Sequence, residues 1–436
     1  MNAAGLQKGI LAFVIVTVSV LYIPYAEDPF RSFRETALQT ACAGLALVWI
    51  YRFFCGAETR WREGFGNDSA TRYAAWFFLA SCAAFVASLF INGANPAGAV
   101  TAVNFMAGGI LFASFHSAIG PANARKWIFL FLAAAGVNAA LGIMQYAGYD
   151  PFFNSLDPAF HSVYRKYLVA GFLDTPNLLA PFLASFIPYL FHRFVAGETM
   201  ARATVAACAI ALLFVPLAMT RNFAAFAGLA AVMAGLLAYY SARALRGGGR
   251  WRLLAAWGVA AAVAVTAFQQ YAKEDEISRI IKQYSMDERK TQNRAALMMF
   301  GESPLTGKGP GYFYRHFVEY RRAVWFQNPP LRVPDRAAHQ AHNDYAQMLA
   351  EGGLLTLLPL LAILAVWFFS QARYLWGTVG KPFAPHDAAV IGGGGGFWIL
   401  AINALGSFPF HVATLAVVAL FWAAMSAKMI KYGAHE

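Results

Sequence analysis

Charged side chains are scarce in this chain, at 13% of 436 residues, against 59% hydrophobic. That balance lies far from soluble globular domains and excludes a water-exposed domain as the main body. Acids are scarcer than bases, with 22 Asp and Glu against 34 Lys and Arg, for a formal net charge of +12. In so apolar a chain the excess bears on how loops distribute across a membrane and gives no ground for a nucleic-acid partner. Cysteine is nearly absent. Cys42, Cys55, Cys82 and Cys208 fall in or beside apolar runs, without the paired spacing of a disulfide framework or a metal site. No repeat relates the earlier apolar runs to the later ones, as the halves of a carrier would be related. A nucleotide-binding loop is missing too: Gly307-Lys308 is followed by Gly309, where a Walker motif needs Ser or Thr.

Long apolar runs dominate what is present. A spanning helix takes roughly 20 apolar residues, and about twelve such runs lie near 9–25, 36–55, 73–92, 98–118, 127–147, 177–195, 203–219, 223–241, 251–268, 352–370, 388–406 and 410–430. The expected fold is an all-α polytopic membrane protein with one long loop containing short helices. Its organisation is transmembrane helices 1–9 in residues 1–268, a large loop over 269–343, and transmembrane helices 10–12 in 344–436. The first run follows a single Lys8 and lacks a small-residue cleavage site, which predicts a retained helix. Five consecutive glycines, Gly392 to Gly396, sit inside a predicted span and favour close helix packing over a break.

Basic residues orient the chain. Alternate short loops carry Arg52, Arg60, Arg62, Arg72, Arg125, Lys126, Arg193, Arg202, Arg243, Arg246, Arg250, Arg252, Arg373, Lys381, Lys428 and Lys431. The opposite short loops carry only Arg31, Arg34, Arg165, Lys166 and Arg221. The positive-inside rule then predicts both termini in the cytoplasm. The long loop lies outside, in the periplasm of a Gram-negative cell. Long loops translocate regardless of charge, so its basic character is no obstacle.

Within that loop, residues 274–284 place Ile277, Ile280, Ile281 and Tyr284 at helical spacing, predicting a surface-lying amphipathic helix. A second helical stretch, 291–300, carries Arg294 ahead of Ala295, Ala296, Leu297, Met298 and Met299. A Gly/Pro-rich turn over 304–311 follows.

Charges at the ends of spans are costly in lipid and are functional candidates by default. Arg221 lies between two apolar helices with almost no room for a loop. It either snorkels to the interface or presents a forked, permanently charged donor to a phosphate or diphosphate. Arg294 has the same alternatives. His339 and His342 are three apart, the spacing of one helical face, and a helix starting near Asn343 would place His342 at its N-terminus, where the macrodipole favours the neutral imidazole of a general base. Two histidines could hold zinc, but no third ligand follows and no metal is expected. Glu351 is a possible partner for either arginine. Glu27-Asp28 offers an acidic pair after the first run but is too common a pattern to be a metal motif.

These pieces in this order resemble the O-antigen ligase and O-antigen polymerase family of bacterial envelope glycosyltransferases. The resemblance rests on Gly171-Phe172-Leu173-Asp174-Thr175-Pro176-Asn177, on Thr220-Arg221, on Arg294 with Ser303 to Gly311, on His342-Asn343-Asp344-Tyr345 with Glu351-Gly352-Gly353, and on Ser407 to His411. It spans roughly residues 165–430. It departs at Thr220 and Asn222, where the family commonly has Ser and Gly, and at Ser407, where an acid is frequent. No catalytic residue is therefore expected in that last loop.

The resemblance implies transfer of a glycan en bloc from undecaprenyl diphosphate, by a ligase to lipid A-core or by a polymerase to another lipid-linked repeat unit. It further implies Arg221 and Arg294 on the diphosphate and His342 as base. His339, Asn343, Asp344, Glu351 and Asn177 would support them, with no cofactor. Arg315, Arg321, Arg322 and Arg332 could meet acidic core sugar or lipid headgroups, and the basic loop inclines the reading toward a ligase. The rival from another class is a transporter or flippase of a lipid-linked anionic solute.

Overall fold

The computed structural model describes residues 3–21, 32–54, 69–151, 169–197, 199–247, 257–258, 276–331, 338 and 340–433. The described elements are helical: α1 Ala3–Val20, α2 Ser32–Phe54, α3 Ser69–Ile91, α4 Pro96–Ala118, α5 Ala124–Tyr146, α6 Pro176–Ala184, α7 Ile187–Val195, α8 Met200–Met219, α9 Phe223–Gly247, α10 Glu276–Glu302, α11 Tyr312–Gln327, α12 Asp344–Thr378, α13 Asp387–Asn403 and α14 Ala413–Gly433. Ten helical stretches among the described residues are long and apolar enough to cross a membrane, α6 and α7 counting together as Pro176–Val195. The protein is a multi-pass membrane protein of the expected class. The expected run 388–406 forms α13, which has 17 residues and is buried almost throughout. The run 251–268 lies outside the described residues save 257 and 258, as do Cys55, Glu27 and Asp28.

One aromatic core joins the spans, with Phe131 4.4 Å from Phe421 and Phe186 5.4 Å from Trp422, ring centre to ring centre. The glycine run of α13 makes this possible. A Cβ on Gly393 would lie 2.8 Å from the Trp422 carbonyl, and one on Gly396 2.5 Å from the Ser185 carbonyl. The glycines serve close packing, as expected, and α13 is unbroken. The break between α6 and α7 falls just before Pro188, which has no N–H to return to the carbonyl of Ala184.

Two expected loop helices are one. Residues 276–302 form a continuous helix, because its polar middle holds no glycine or proline to stop it. Asp287 accepts from Gln283 at 2.8 Å and pairs with Lys290 at 2.9 Å along its surface. The side chains of Ile277 and Ile281 lie outside the described residues. On its inner face Ala295, Ala296 and Met299 pack with Phe313 and Phe317 of α11 and with Ala341, Ala346 and Ala350, a second core apart from the membrane body.

That core ends where α12 breaks. Gly353 has φ 65 and ψ −168, so the helix stops and restarts there. A break exposes backbone groups that lipid cannot satisfy, and the Gly/Pro-rich turn supplies their partners. Leu354 and Leu355 donate to the carbonyls of Pro304 and Leu305 at 2.9 and 3.1 Å, and the amides of Lys308 and Gly309 donate to Ala350 and Glu351 at 2.8 and 2.9 Å. Ser88 of α3 adds a hydroxyl bond to the Glu351 carbonyl at 2.9 Å. The segment that carries no phosphate-loop signature is thus a splice for a broken helix.

The Glu351 side chain is buried within the same splice. Its carboxylate accepts from the amides of Gly311 and Phe313 at 2.9 and 3.3 Å, capping α11, and from Gln347 at 3.3 Å. None of these partners is Arg221 or Arg294. Glu351→Ala would leave buried amides unmet and should cost about 2 kcal/mol, read as a lower unfolding temperature of the purified protein, whereas Glu351→Gln keeps an acceptor and should cost less.

Candidate functional site

Among the described residues three non-glycine positions have positive φ, namely Asp174 at 75°, Arg221 at 53° and His342 at 50°. Such backbone costs about 1–2 kcal/mol per residue, and where it persists it marks positions the surrounding fold over-determines. All three belong to turns that the sequence motifs single out.

The first two turns touch. Asn222 donates its side-chain amide to Asn177 at 2.9 Å, and its own Oδ1 caps α9 through the amide of Ala225 at 2.9 Å. Asn177 therefore holds the Arg221 turn, and Asn222 does positive work where the sequence showed only a departure. Arg221 itself is exposed. The Gly171–Phe172 end is held in turn by α5, with Phe172 donating to Asn138 at 2.8 Å and Gly171 to Gln145 at 2.8 Å.

The third turn, at the entry to α12, is not helical before Asn343. His342 adopts the left-handed region, so the expected three-residue helical pairing with His339 is overturned, and His339 itself lies outside the described residues. Asn343 is the N-cap, its side chain accepting from the amides of Tyr345 and Ala346 at 3.1 Å each. His342 sits just ahead of that cap, as the helix-start argument requires. Its ring lies edge-on to Phe408, 4.6 Å between centres. Its Nδ1 is buried and has no hydrogen-bond partner among the described residues, the kind of orphan that calls for a functional explanation. Burial, and then the neighbouring charge of Arg289, push its pKa down to about 3.

Arg289, on α10, is the cation that sequence reasoning missed. It donates to the carbonyl of Gly406 at 3.0 Å, and burial lowers its own pKa. Arg294 lies five residues further along the helix, roughly 7.5 Å along the axis, and is solvent-exposed. The charge of Arg289 reaches His342; among the described residues no hydrogen bond or ion pair joins His342 or Arg221 to Arg294. A signal was available. Gln292, Ala295, Ala296 and Met299 mark the buried stripe of α10, and Arg289, three before Gln292 and seven before Ala296, falls on that stripe at a helical period, whereas Arg294 does not.

The turn between α13 and α14 joins these parts. A Cβ on Gly406, which receives Arg289, would lie 3.6 Å from the Cβ of Ala224 at the start of α9, next to the Arg221 turn. The amide of Asp344 donates to Ala404 at 3.0 Å. The buried Asp344 carboxylate accepts from the amide of Phe410 at 2.9 Å and pairs with Nδ1 of His411. Both polar side-chain atoms of buried Asn403, at the head of this turn, also have no hydrogen-bond partner among the described residues. The turn expected to carry no chemistry is the place where α9, α10 and α12 converge. Among the other loop arginines, Arg315 and Arg322 are exposed, while Arg321 is buried between Phe317 and Trp325, 5.6 and 4.7 Å from their ring centres. Arg332 lies outside the described residues. No cluster of metal-ligating side chains occurs among the described residues.

Residues 199–361 match the family model described as O-Antigen ligase. The chain carries an O-antigen ligase family domain. No curated protein matches it. The family domain contains Arg221, Arg289, Arg294, His342 and Glu351. The Gly171–Asn177 element and the 404–411 turn lie outside it, and it is the fold that brings them to its residues. With the membrane-spanning body, the match supports a membrane glycosyltransferase-like protein of the O-antigen ligase or polymerase type.

Proposed function

We propose that the protein is an O-antigen ligase that moves a glycan en bloc from undecaprenyl diphosphate to lipid A-core at the periplasmic face of the bacterial inner membrane. The observation that carries this reading is His342, whose buried Nδ1 has no partner among the described residues, near the charge of Arg289 and edge-on to Phe408 in the turn that also receives Arg289. The acceptor hydroxyl donates to the imidazole and loses its proton as it attacks the anomeric carbon. The bond to the diphosphate breaks, and the leaving anion is met by Arg221 and Arg289. A single displacement inverts the anomeric centre and needs no cofactor. The loop charge pattern supports the orientation, with both termini cytoplasmic and residues 269–343 periplasmic. The basic loop favours a phosphorylated acceptor over a second lipid-linked repeat unit, and so ligase over polymerase.

Purified protein in lipid, given an undecaprenyl-diphosphate-linked glycan and lipid A-core, should yield glycosylated core of inverted configuration. Arg289→Ala should slow turnover about a hundredfold, and Arg294→Ala less than tenfold; the reverse order would return the diphosphate to Arg294. A deletion strain whose core carries one repeat unit instead of none would make the protein a polymerase. Movement of the lipid-linked glycan across the bilayer with no product on the core would make it a flippase.

A further inference from the structure

Two carboxamides lie on the lipid-facing surface of the membrane body. Gln39 of α2 and Asn104 of α4 are both exposed, and Nε2 of Gln39 donates to Oδ1 of Asn104 at 3.0 Å. That bond leaves the Gln39 oxygen and the Asn104 amide group without a hydrogen-bond partner among the described residues. Both belong to stretches long and apolar enough to span a membrane, Phe33–Phe54 and Pro96–Ala118. At 1.5 Å per residue Gln39 stands roughly 9 Å in from Phe33 and Asn104 roughly 12 Å in from Pro96, which leaves them about 7 and 5 Å from the midpoints of their spans. The hydrocarbon layer reaches about 15 Å on either side of its centre, so both groups sit among acyl chains, which offer no hydrogen bond, and headgroups lie further out. Further along α2 the same face is ordinary lipid surface, with Leu47, Ile50 and Phe54 exposed. In lipid, unpaired carboxamides are satisfied by another helix. α2 and α4 are alternate spans, with Thr71–Ile91 between them, so they run the same way and hold their carboxamides at nearly one depth. A two-fold axis along the membrane normal therefore sets the Asn104 amide of one copy against the Gln39 oxygen of the other, and an isologous interface makes that contact twice. One spare donor and one spare acceptor on each chain make the surface self-complementary. Thr40 and Ala43, beside Gln39, are exposed and small, which lets a second helix approach.

We propose that α2 and α4 form the surface on which a second copy of this chain docks within the membrane, joined by reciprocal Gln39–Asn104 hydrogen bonds. The docking is independent of the transfer reaction, since it needs neither His342 nor the arginines.

The test is the oligomeric state of the full-length protein in lipid vesicles, read by stepwise photobleaching of a fluorescent label over a range of protein-to-lipid ratios. Wild type should be dimeric, and Gln39→Leu and Asn104→Leu should each raise the dissociation constant about tenfold. Leucine suits a lipid-facing position, so both variants should fold, and a parental circular dichroism spectrum checks that they do. A second measurement does not depend on those variants. In chains whose four cysteines are replaced by serine, Gln39→Cys on one chain and Asn104→Cys on a second chain of different size should form an interchain disulfide on oxidation in vesicles. Leu212→Cys, exposed on α8, should not cross-link. Single chains at every protein-to-lipid ratio would overturn the proposal. A dimer that survives the double leucine variant, or that cross-links through Leu212→Cys and not through the Gln39→Cys and Asn104→Cys pair, would move the contact to another face and overturn it as well.

Discussion

His342→Ala should lower transfer by about 10²- to 10⁴-fold, the range a positioned acid–base group supplies, and His342→Gly should be equally inactive yet more stable than the parent. The two substitutions separate chemistry from backbone. His342 holds φ at 50°, a conformation that costs a side chain about 1–2 kcal/mol and glycine nothing. Glycine should therefore raise the unfolding temperature while alanine does not, and neither can take a proton. Activity and stability moving in opposite directions is the signature of strain held for function. The acid side of the stability profile gives a second check. The folded pKa of His342 is about 3, depressed below its free value near 6.5 chiefly by burial and then by Arg289. The stability tied to the neutral ring is fully present above pH 6.5 and is lost as the pH falls toward 3, because the unfolded chain takes the proton first. The glycine variant should lose stability less steeply across that window. A His342→Gly protein that transfers glycan at the parental rate would remove this residue from the chemistry.

The membrane body was legible from hydropathy alone, since lipid forces every spanning segment into a helix and leaves a long apolar run as its mark. The candidate site was legible only where it is local. Arg221 and His342 announce themselves as polar residues at the ends of apolar runs. Arg289 does not, because the apolar residues after Arg294 draw the eye, while the stripe that turns Arg289 inward depends on one helix running unbroken through polar residues 285–290. The helical spacing of His339 and His342 misled for a related reason. Spacing carries meaning only if the backbone is helical, and a left-handed residue ends that periodicity. The pairs that assemble the site, Asn177 with Asn222, Arg289 with Gly406 and Asp344 with His411, join residues 45, 117 and 67 apart. Such pairings are tertiary facts that no local pattern encodes. Ser407 lowered the expectation for its turn because one residue type was missing there, yet the carboxylate that serves the turn comes from the head of α12.

The largest stability loss should come from Gly353→Ala, with Gly307→Ala close behind. At Gly353 a Cβ would lie 2.3 Å from the Leu305 carbonyl oxygen, and at Gly307 it would lie 2.4 Å from the Glu351 carbonyl carbon. Both obstacles are backbone, and both belong to the splice that satisfies the broken helix, so neither can swing aside as a side chain would. The two glycines also have φ of 65° and 67°, which adds the left-handed cost to the steric one. Together these amount to roughly 2–5 kcal/mol. The damage should spread to the site, because the splice fixes the angle between the part of α12 that packs on α10 and α11 and the part that packs on α3. Gly301→Ala is the comparison. A Cβ there meets nothing within 4 Å, and alanine in a helix should be neutral or stabilising by up to about 1 kcal/mol. Thermal unfolding of the three purified variants, followed by resistance of the 276–343 segment to protease, should show Gly353→Ala and Gly307→Ala cut early and Gly301→Ala protected. Parental protection in Gly353→Ala would mean that the break in α12 is not what docks the loop to the membrane body.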